Sequence, residues 1–161
     1  GWFCGEFWMS VASVFERFRV VFSEVGSLLG LDYGRVRIGV AVSTPERTLA
    51  VPLETWEPTG DEDQDARHLE QLITDQRVVA LVVGLPLHAD GTTSELSREA
   101  ETFGAWIRKS TGKPVTFWDE RYTSRQAEDL LLSIDMTRKK RKARRDMIAA
   151  QMILQGYLDH G

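Results

Sequence analysis

Residues 28–43 read Leu28-Leu29-Gly30-Leu31-Asp32-Tyr33-Gly34-Arg35-Val36-Arg37-Ile38-Gly39-Val40-Ala41-Val42-Ser43, two apolar runs hinged on a short polar turn. Runs of this kind bounded by a Gly-containing breaker predict strands, here Leu28–Asp32 and Arg37–Ser43 on either side of Tyr33-Gly34. A third run, Thr48–Thr55, follows the breaker Pro45-Glu46. Three successive strands joined by tight turns make an antiparallel meander.

Downstream of the meander the periodicity alternates between helix and strand. The acidic, Gly-containing run Pro58–Asp65 reads as a loop feeding a helix to about Gln76, with Leu69, Leu72 and Ile73 on one face. Val78–Val83 is continuously apolar, as a strand covered on both faces must be, and Gly84-Leu85-Pro86 ends it. Thr92-Thr93-Ser94-Glu95 carries a capping-box pattern for a helix to about Ser110. Val115–Trp118 is the fifth strand. Thr123-Ser124-Arg125-Gln126 is a second capping box, opening a helix through Ala127, Leu130, Leu131 and Ile134. A basic loop and a last helix, from about Arg145 to Leu158, complete the order βββαβαβαα. The expected class is α/β, with a five-stranded mixed sheet, antiparallel over its first three strands and parallel thereafter, flanked by helices.

Upstream, residues 1–27 read as an N-terminal extension. Phe7, Val11, Val14, Phe18, Val21 and Val25 recur at the spacing of one helix face. The segment is either a docking or pairing helix, or sequence upstream of a native start at Met9. Residues 28–161 make the expected catalytic domain, and 161 residues with 42% hydrophobic content suffice for one core. Cys4 is the single cysteine, which excludes an intramolecular disulfide and a cysteine-rich zinc site, and makes a reducing cytoplasm the expected compartment. No apolar stretch reaches the length of a spanning helix, so no membrane partner is expected.

Net charge sharpens the reading of partners. The chain carries −4 overall, yet Arg138-Lys139-Lys140-Arg141-Lys142-Ala143-Arg144-Arg145 packs seven positive charges into eight positions; setting those seven aside takes the rest of the chain from −4 to −11. A concentrated basic run in an acidic chain is suited to phosphate, although a solvated loop would also tolerate it. Arg37, Arg121 and Arg125 are further phosphate candidates, each of which could instead neutralise a nearby carboxylate. His68, His88 and His160 fit no metal-ligand spacing; of these, only His88 lies beside a strand end where a site could form.

Three acids stand where chemistry could occur. Asp32 ends the first strand before a turn, where it either caps that turn or meets a cation. Asp119 and Glu120 follow the fifth strand; consecutive residues point to opposite faces, so only one of them should reach a given site. Asp146 begins a helical stripe with Ala150, Ile153 and Tyr157 and so should point inward, although an Asp near a helix start is also favoured by the helix dipole. A first strand, a later strand end and a final helix could bring these acids to one edge of the sheet. Three converging carboxylates call for a hard cation such as Mg²⁺ or Mn²⁺, which takes oxygen ligands.

The motifs Gly30-Leu31-Asp32-Tyr33-Gly34 with Arg37-Ile38-Gly39-Val40-Ala41, Val83-Gly84-Leu85-Pro86-Leu87 with Asp90-Gly91, Asp119-Glu120-Arg121 with Thr123-Ser124, and Asp146 ahead of Ala149-Ala150 and Ile153-Leu154 occur in one order over residues 28–159. In this the chain resembles the YqgF/RuvX family. The resemblance implies an RNase H-like fold, with Asp32, Glu120 and Asp146 as the acidic Mg²⁺- or Mn²⁺-binding set. It also implies a nuclease of structured nucleic acid, either branched DNA at a Holliday junction, where a homodimer would be expected, or the 5′ end of pre-16S ribosomal RNA. The chain departs from the family in its extension, and it has no acid in Gly84-Leu85-Pro86-Leu87, where many other RNase H-like nucleases place one, so the resemblance implies that Glu120 fills that role. Two other readings stand beside it: a nucleic-acid-binding protein without turnover, and an ATP-binding domain of the actin and sugar-kinase type, whose phosphate hairpin Asp32–Gly39 resembles locally.

Overall fold

Alternation along the first strand separates the two sides of the molecule. In the computed structural model, which describes residues 25–120 and 137–161, β1 (Ser27–Asp32), β2 (Ile38–Ser43) and β3 (Ala50–Trp56) form the expected antiparallel meander, with Asp32 opposite Gly39 and Gly39 opposite Thr55. Helix α1 (Glu62–Gln76) leads to β4 (Val78–Leu85), which pairs parallel with β1; α2 (Glu95–Thr111) leads to β5 (Val115–Asp119), parallel to β4. Helix α3 (Arg138–His160) closes the described chain. The strand order is β3-β2-β1-β4-β5, so the mixed five-stranded sheet read from the sequence is present.

Because side chains alternate across a strand, Leu29, Leu31, Leu81 and Val83 build one core with Leu69 and Leu72 of α1 and Ala100 and Ile107 of α2. Leu28, Ala80 and Val82 build the other with Ala150, Ile153, Leu154 and Tyr157 of α3. Val82 and Val83 are both buried, which accounts for the unbroken apolar run of β4.

The second face is where small residues decide the architecture. A side chain on Gly39 would overlap the backbone carbonyl of Asp146, and one on Gly30 would come within 2.7 Å of Leu154 Cβ. Their absence lets α3 lie directly on β1 and β2, with Ala41, Ala50 and Ala80 deepening the groove. Gln155 then seals the edge of the sheet, accepting from Ala50 N at 2.8 Å and donating to Thr48 O at 3.1 Å.

Several boundaries differ from the sequence reading. The segment after Pro58 becomes helical at Glu62, because the Asp61 side chain accepts from the free N–H groups of Asp63 and Gln64. The buried Asp65 carboxylate ties back the preceding loop, accepting from Thr59 N, Thr59 Oγ1 and Gly60 N. The capping box of α2 is formed by Ser94 and Ser97, two residues later than Thr92–Glu95; Thr92 instead bonds Asp90. The basic run is not a loop. It forms the first two turns of α3, capped by Thr137, whose hydroxyl accepts from Lys140 N, and its Lys, Arg and Ala residues all favour helix. The second capping box and the helix expected through Ile134 lie outside the described residues, as does the extension up to residue 24.

Candidate active site

Asp32 sits at the carboxyl end of β1 on the α3 face, following Leu28 and Gly30 in parity. Glu120 directly follows β5 and continues the parity of Trp118, which packs in the α3-side core against Tyr157. Parity therefore sends Glu120 toward Asp32. Gly84, paired with Trp118 on the strand between them, makes the room, since a side chain there would overlap Glu120 Oε1. No acid stands in Gly84-Leu85-Pro86-Leu87, and the Glu120 carboxyl lies over that position.

The two carboxyls share a proton. Burial is the largest cause lifting Glu120, to about 9, with the Asp32 charge, its hydrogen bond to Asp32 and the Asp119 charge adding to it. Asp32 rises to about 6, again chiefly through burial, opposed by the hydrogen bond from Glu120 and helped by the Asp146 charge. Near neutral pH the Glu120 carboxyl thus donates to an ionised Asp32, an arrangement expected when two carboxylates are confined together.

Asp146 enters from α3 above Gly39, the residue paired with Asp32. With α3 beginning at Arg138, Asp146 lies two turns inside the helix, so attraction to the helix N-terminus does not explain its position. Its carboxylate is held by Arg37, which donates from Nε to Oδ2 at 3.0 Å. The structure thus brings Asp32 and Glu120 together and sets Asp146 close enough to act on Asp32, but turned to a guanidinium. Among the described residues no three His, Cys, Asp or Glu side chains surround one point as an ion-binding group. The donor set suits Mg²⁺ or Mn²⁺ in being all carboxylate oxygen, with a confined charge that a cation would relieve.

The basic end of α3 extends from this site. Arg138, Lys139, Lys140, Lys142, Arg144 and Arg145 are exposed and Arg141 is half-buried. The first turn holds no acid, so seven cations add to the positive end of the helix dipole, an unfavourable arrangement that an anionic partner relieves. Ala143 is anchored to the sheet by Thr55 Oγ1, so the run projects from the rim next to Gly39. Arg121 and Arg125 lie outside the described residues. His88 is an exposed member of the loop closed by Gly91 N donating to its carbonyl. His68 bonds Glu54 at 3.1 Å and stacks on Trp56.

A groove of about 640 Å³ occupies the opposite face of the sheet, between Tyr33, Trp56, Phe103 and Trp106, and includes none of the three acids. Arg35 at its edge is paired with Glu99 at 2.9 Å. The carboxyls meet on the α3 face, on the other side of the sheet from this groove.

Comparison with known proteins gives a consistent result. Residues 26–160 match the family described as "RuvX: Holliday junction resolvase". A relative from Rhodopirellula baltica is 42% identical over 138 residues, covering 86% of this chain and 79% of the relative. Another, from Halalkalibacterium halodurans, is 43% identical over 132 residues, covering 81% and 94%. Both bear the name "Putative pre-16S rRNA nuclease". Among solved structures, T. thermophilus RuvC in complex with Holliday junction substrate has a TM-score of 0.52 at 14% identity, covering 83% of this chain and 93% of that one. At that identity the likeness is one of fold, here RNase H-like.

Proposed function

The chain belongs to the RuvX family of Holliday junction resolvases, a nuclease family, and from that premise we propose that residues 28–161 form a divalent-metal-dependent nuclease that hydrolyses phosphodiesters in structured nucleic acid. The observation that carries the metal reading is the buried Asp32–Glu120 pair, holding one proton where two charges would otherwise repel, with Asp146 alongside. Asp32, Glu120 and Asp146 would hold the metal. When bound, one or two Mg²⁺ or Mn²⁺ ions would supply an activated water and neutralise the charge developing on the scissile phosphate.

The chain's own residues account for the rest. The first turns of α3 present exposed cations that would hold the phosphate backbone at the rim, with Arg121 and Arg125 as further contacts in the same role. Asp32, at the end of a strand in the middle of the sheet, is fixed by the backbone ladders on both sides; Glu120 is fixed against it by the β4–β5 register. Gly39 and Gly30 hold α3, and so Asp146, close to the sheet. Preorganisation of this kind keeps the charged groups from having to reorient during reaction.

Pre-16S ribosomal RNA is the substrate to test first, because two relatives named for it are 42% and 43% identical to this chain, whereas the likeness to the junction-bound RuvC is one of fold. The experiment is Mg²⁺- or Mn²⁺-dependent cleavage by purified protein of a 5′-extended 16S precursor and, in parallel, a four-way DNA junction. Cleavage of the RNA alone supports maturation of that end; cleavage of the junction alone moves the substrate to branched DNA. Cleavage of neither would leave a nucleic-acid-binding protein without turnover.

A further inference from the structure

Two arginines flank the turn between β1 and β2, and they go to opposite faces of the sheet. Arg35 pairs with Glu99 of α2. Arg37 crosses to α3 and donates to Asp146 Oδ2 at 3.0 Å, with both side chains substantially shielded, at 34% and 23% exposure. The backbone of Asp146 is itself pinned over Gly39, two residues along β2 from Arg37. The carboxylate can therefore exchange partners by side-chain rotation while the helix stays in place.

From this geometry we infer that Arg37 is a built-in competitor of the metal: its guanidinium serves as counter-ion to Asp146 in the metal-free protein and must give up that carboxylate when a divalent ion is taken up. The inference rests on the proposed metal-dependent reading. Asp32 and Glu120 hydrogen-bond to each other, and the third acid is paired with a cation from the chain itself. Without Arg37, the Asp146 carboxylate would lose its ion pair while its charge acts on the buried Asp32, a repulsion that costs the fold. With it, that repulsion is reduced, and metal affinity falls by the strength of the ion pair that must be broken. Arg37 is thus a positioning residue that sets metal affinity through Asp146.

The test is Mn²⁺ binding by isothermal titration calorimetry, with free Mn²⁺ counted by electron paramagnetic resonance and no nucleic acid present. Wild type is compared with Arg37→Gln, which removes the charge, and Arg37→Lys, which keeps it. The expected result is that Arg37→Gln binds Mn²⁺ about tenfold more tightly, equivalent to about 1.4 kcal/mol, while Arg37→Lys stays close to wild type. A guanidinium that merely braced Asp146 for the metal would give the opposite, with Arg37→Gln binding more weakly. Equal or weaker binding by Arg37→Gln overturns the inference alone. Absence of Mn²⁺ uptake by all three proteins overturns both the inference and the metal-dependent reading. Thermal melting in chelator guards against misfolding: an Arg37→Gln protein that melts cooperatively and binds no more tightly counts against the inference, and if Arg37→Gln does not fold, Arg37→Lys decides, since its weaker pairing should leave Mn²⁺ binding equal to wild type or tighter, and weaker binding overturns the inference.

Discussion

At the scale of single residues, the acids differ in what they do to the fold and to the reaction. Asp32→Asn keeps the shape and removes the charge. It should lower cleavage by about 10²–10³-fold, the scale on which one preorganised charged group is felt, while leaving nucleic-acid binding largely intact; wild-type turnover in this variant, measured under single-turnover conditions, would remove the mechanism. Glu120 makes a pH prediction of definite sign. Its folded value is lifted from 4.5 to about 9, so the fold favours its protonated form. That contribution is full below about pH 4.5 and is lost as pH rises through about 9. Asp32 acts in the same direction over its own window, from 3.8 to about 6. Metal-free protein should therefore melt several degrees lower at about pH 8.5 than at about pH 5.5. Glu120→Gln should flatten most of that slope, and Mn²⁺ should raise the wild-type melting temperature more at the higher pH. A chelated wild type with the same melting temperature at both would contradict the shared-proton picture. The choice of Glu120 over Asp119 was open in the residues themselves, and the family resemblance supplied it. Counting strand parity back through Trp118 would have given the same answer, had the end of β5 been known.

Elements bring these residues together, and α3 contributes most to that. The stripe Asp146, Ala150, Ile153 and Tyr157 was legible because period 3.6 survives without tertiary context, and Ala150, Ile153 and Tyr157 are buried as it required. The start of the helix was not legible. A run of like charges repels along a helix and suggests a loop, but Thr137 caps it and intrinsic propensity favours it. As a helix the run is a rigid basic rod, which bears on binding. Replacing Lys139, Lys140 and Lys142 with Gln should flatten the dependence of log affinity on log salt by about 0.7–0.9 for each phosphate no longer neutralised. An unchanged slope in filter binding between low and moderate salt would mean that the run touches no backbone. The seat of α3 can be tested separately. Gly39→Ala puts a methyl into the Asp146 carbonyl and should cost about 3 kcal/mol through forced backbone displacement, read as a lower denaturation midpoint with little change in m-value.

On the scale of the whole molecule, the fold leaves the two substrate readings distinguishable by symmetry. A junction resolvase cuts two strands related by a two-fold axis and should act as a dimer. Sedimentation of the protein alone and with a junction should show a two-to-one complex under that reading, whereas a monomer active on precursor RNA would sever the link. By itself the sequence determined the element order over the described residues, the meander, the double-sided burial of β4 and the apolar stripe of α3, because these depend on periodicity and turn chemistry, which are local. It also marked Asp32 and Asp146 as positions of interest. The tertiary structure decided which groups meet: that Glu120 shares a proton with Asp32, that Arg37 takes Asp146, and that α3 settles onto Gly39 and Gly30. Those pairings join residues far apart in the chain. Their energies depend on burial and on distances of a few ångströms, which arise only once the sheet and the helix have packed.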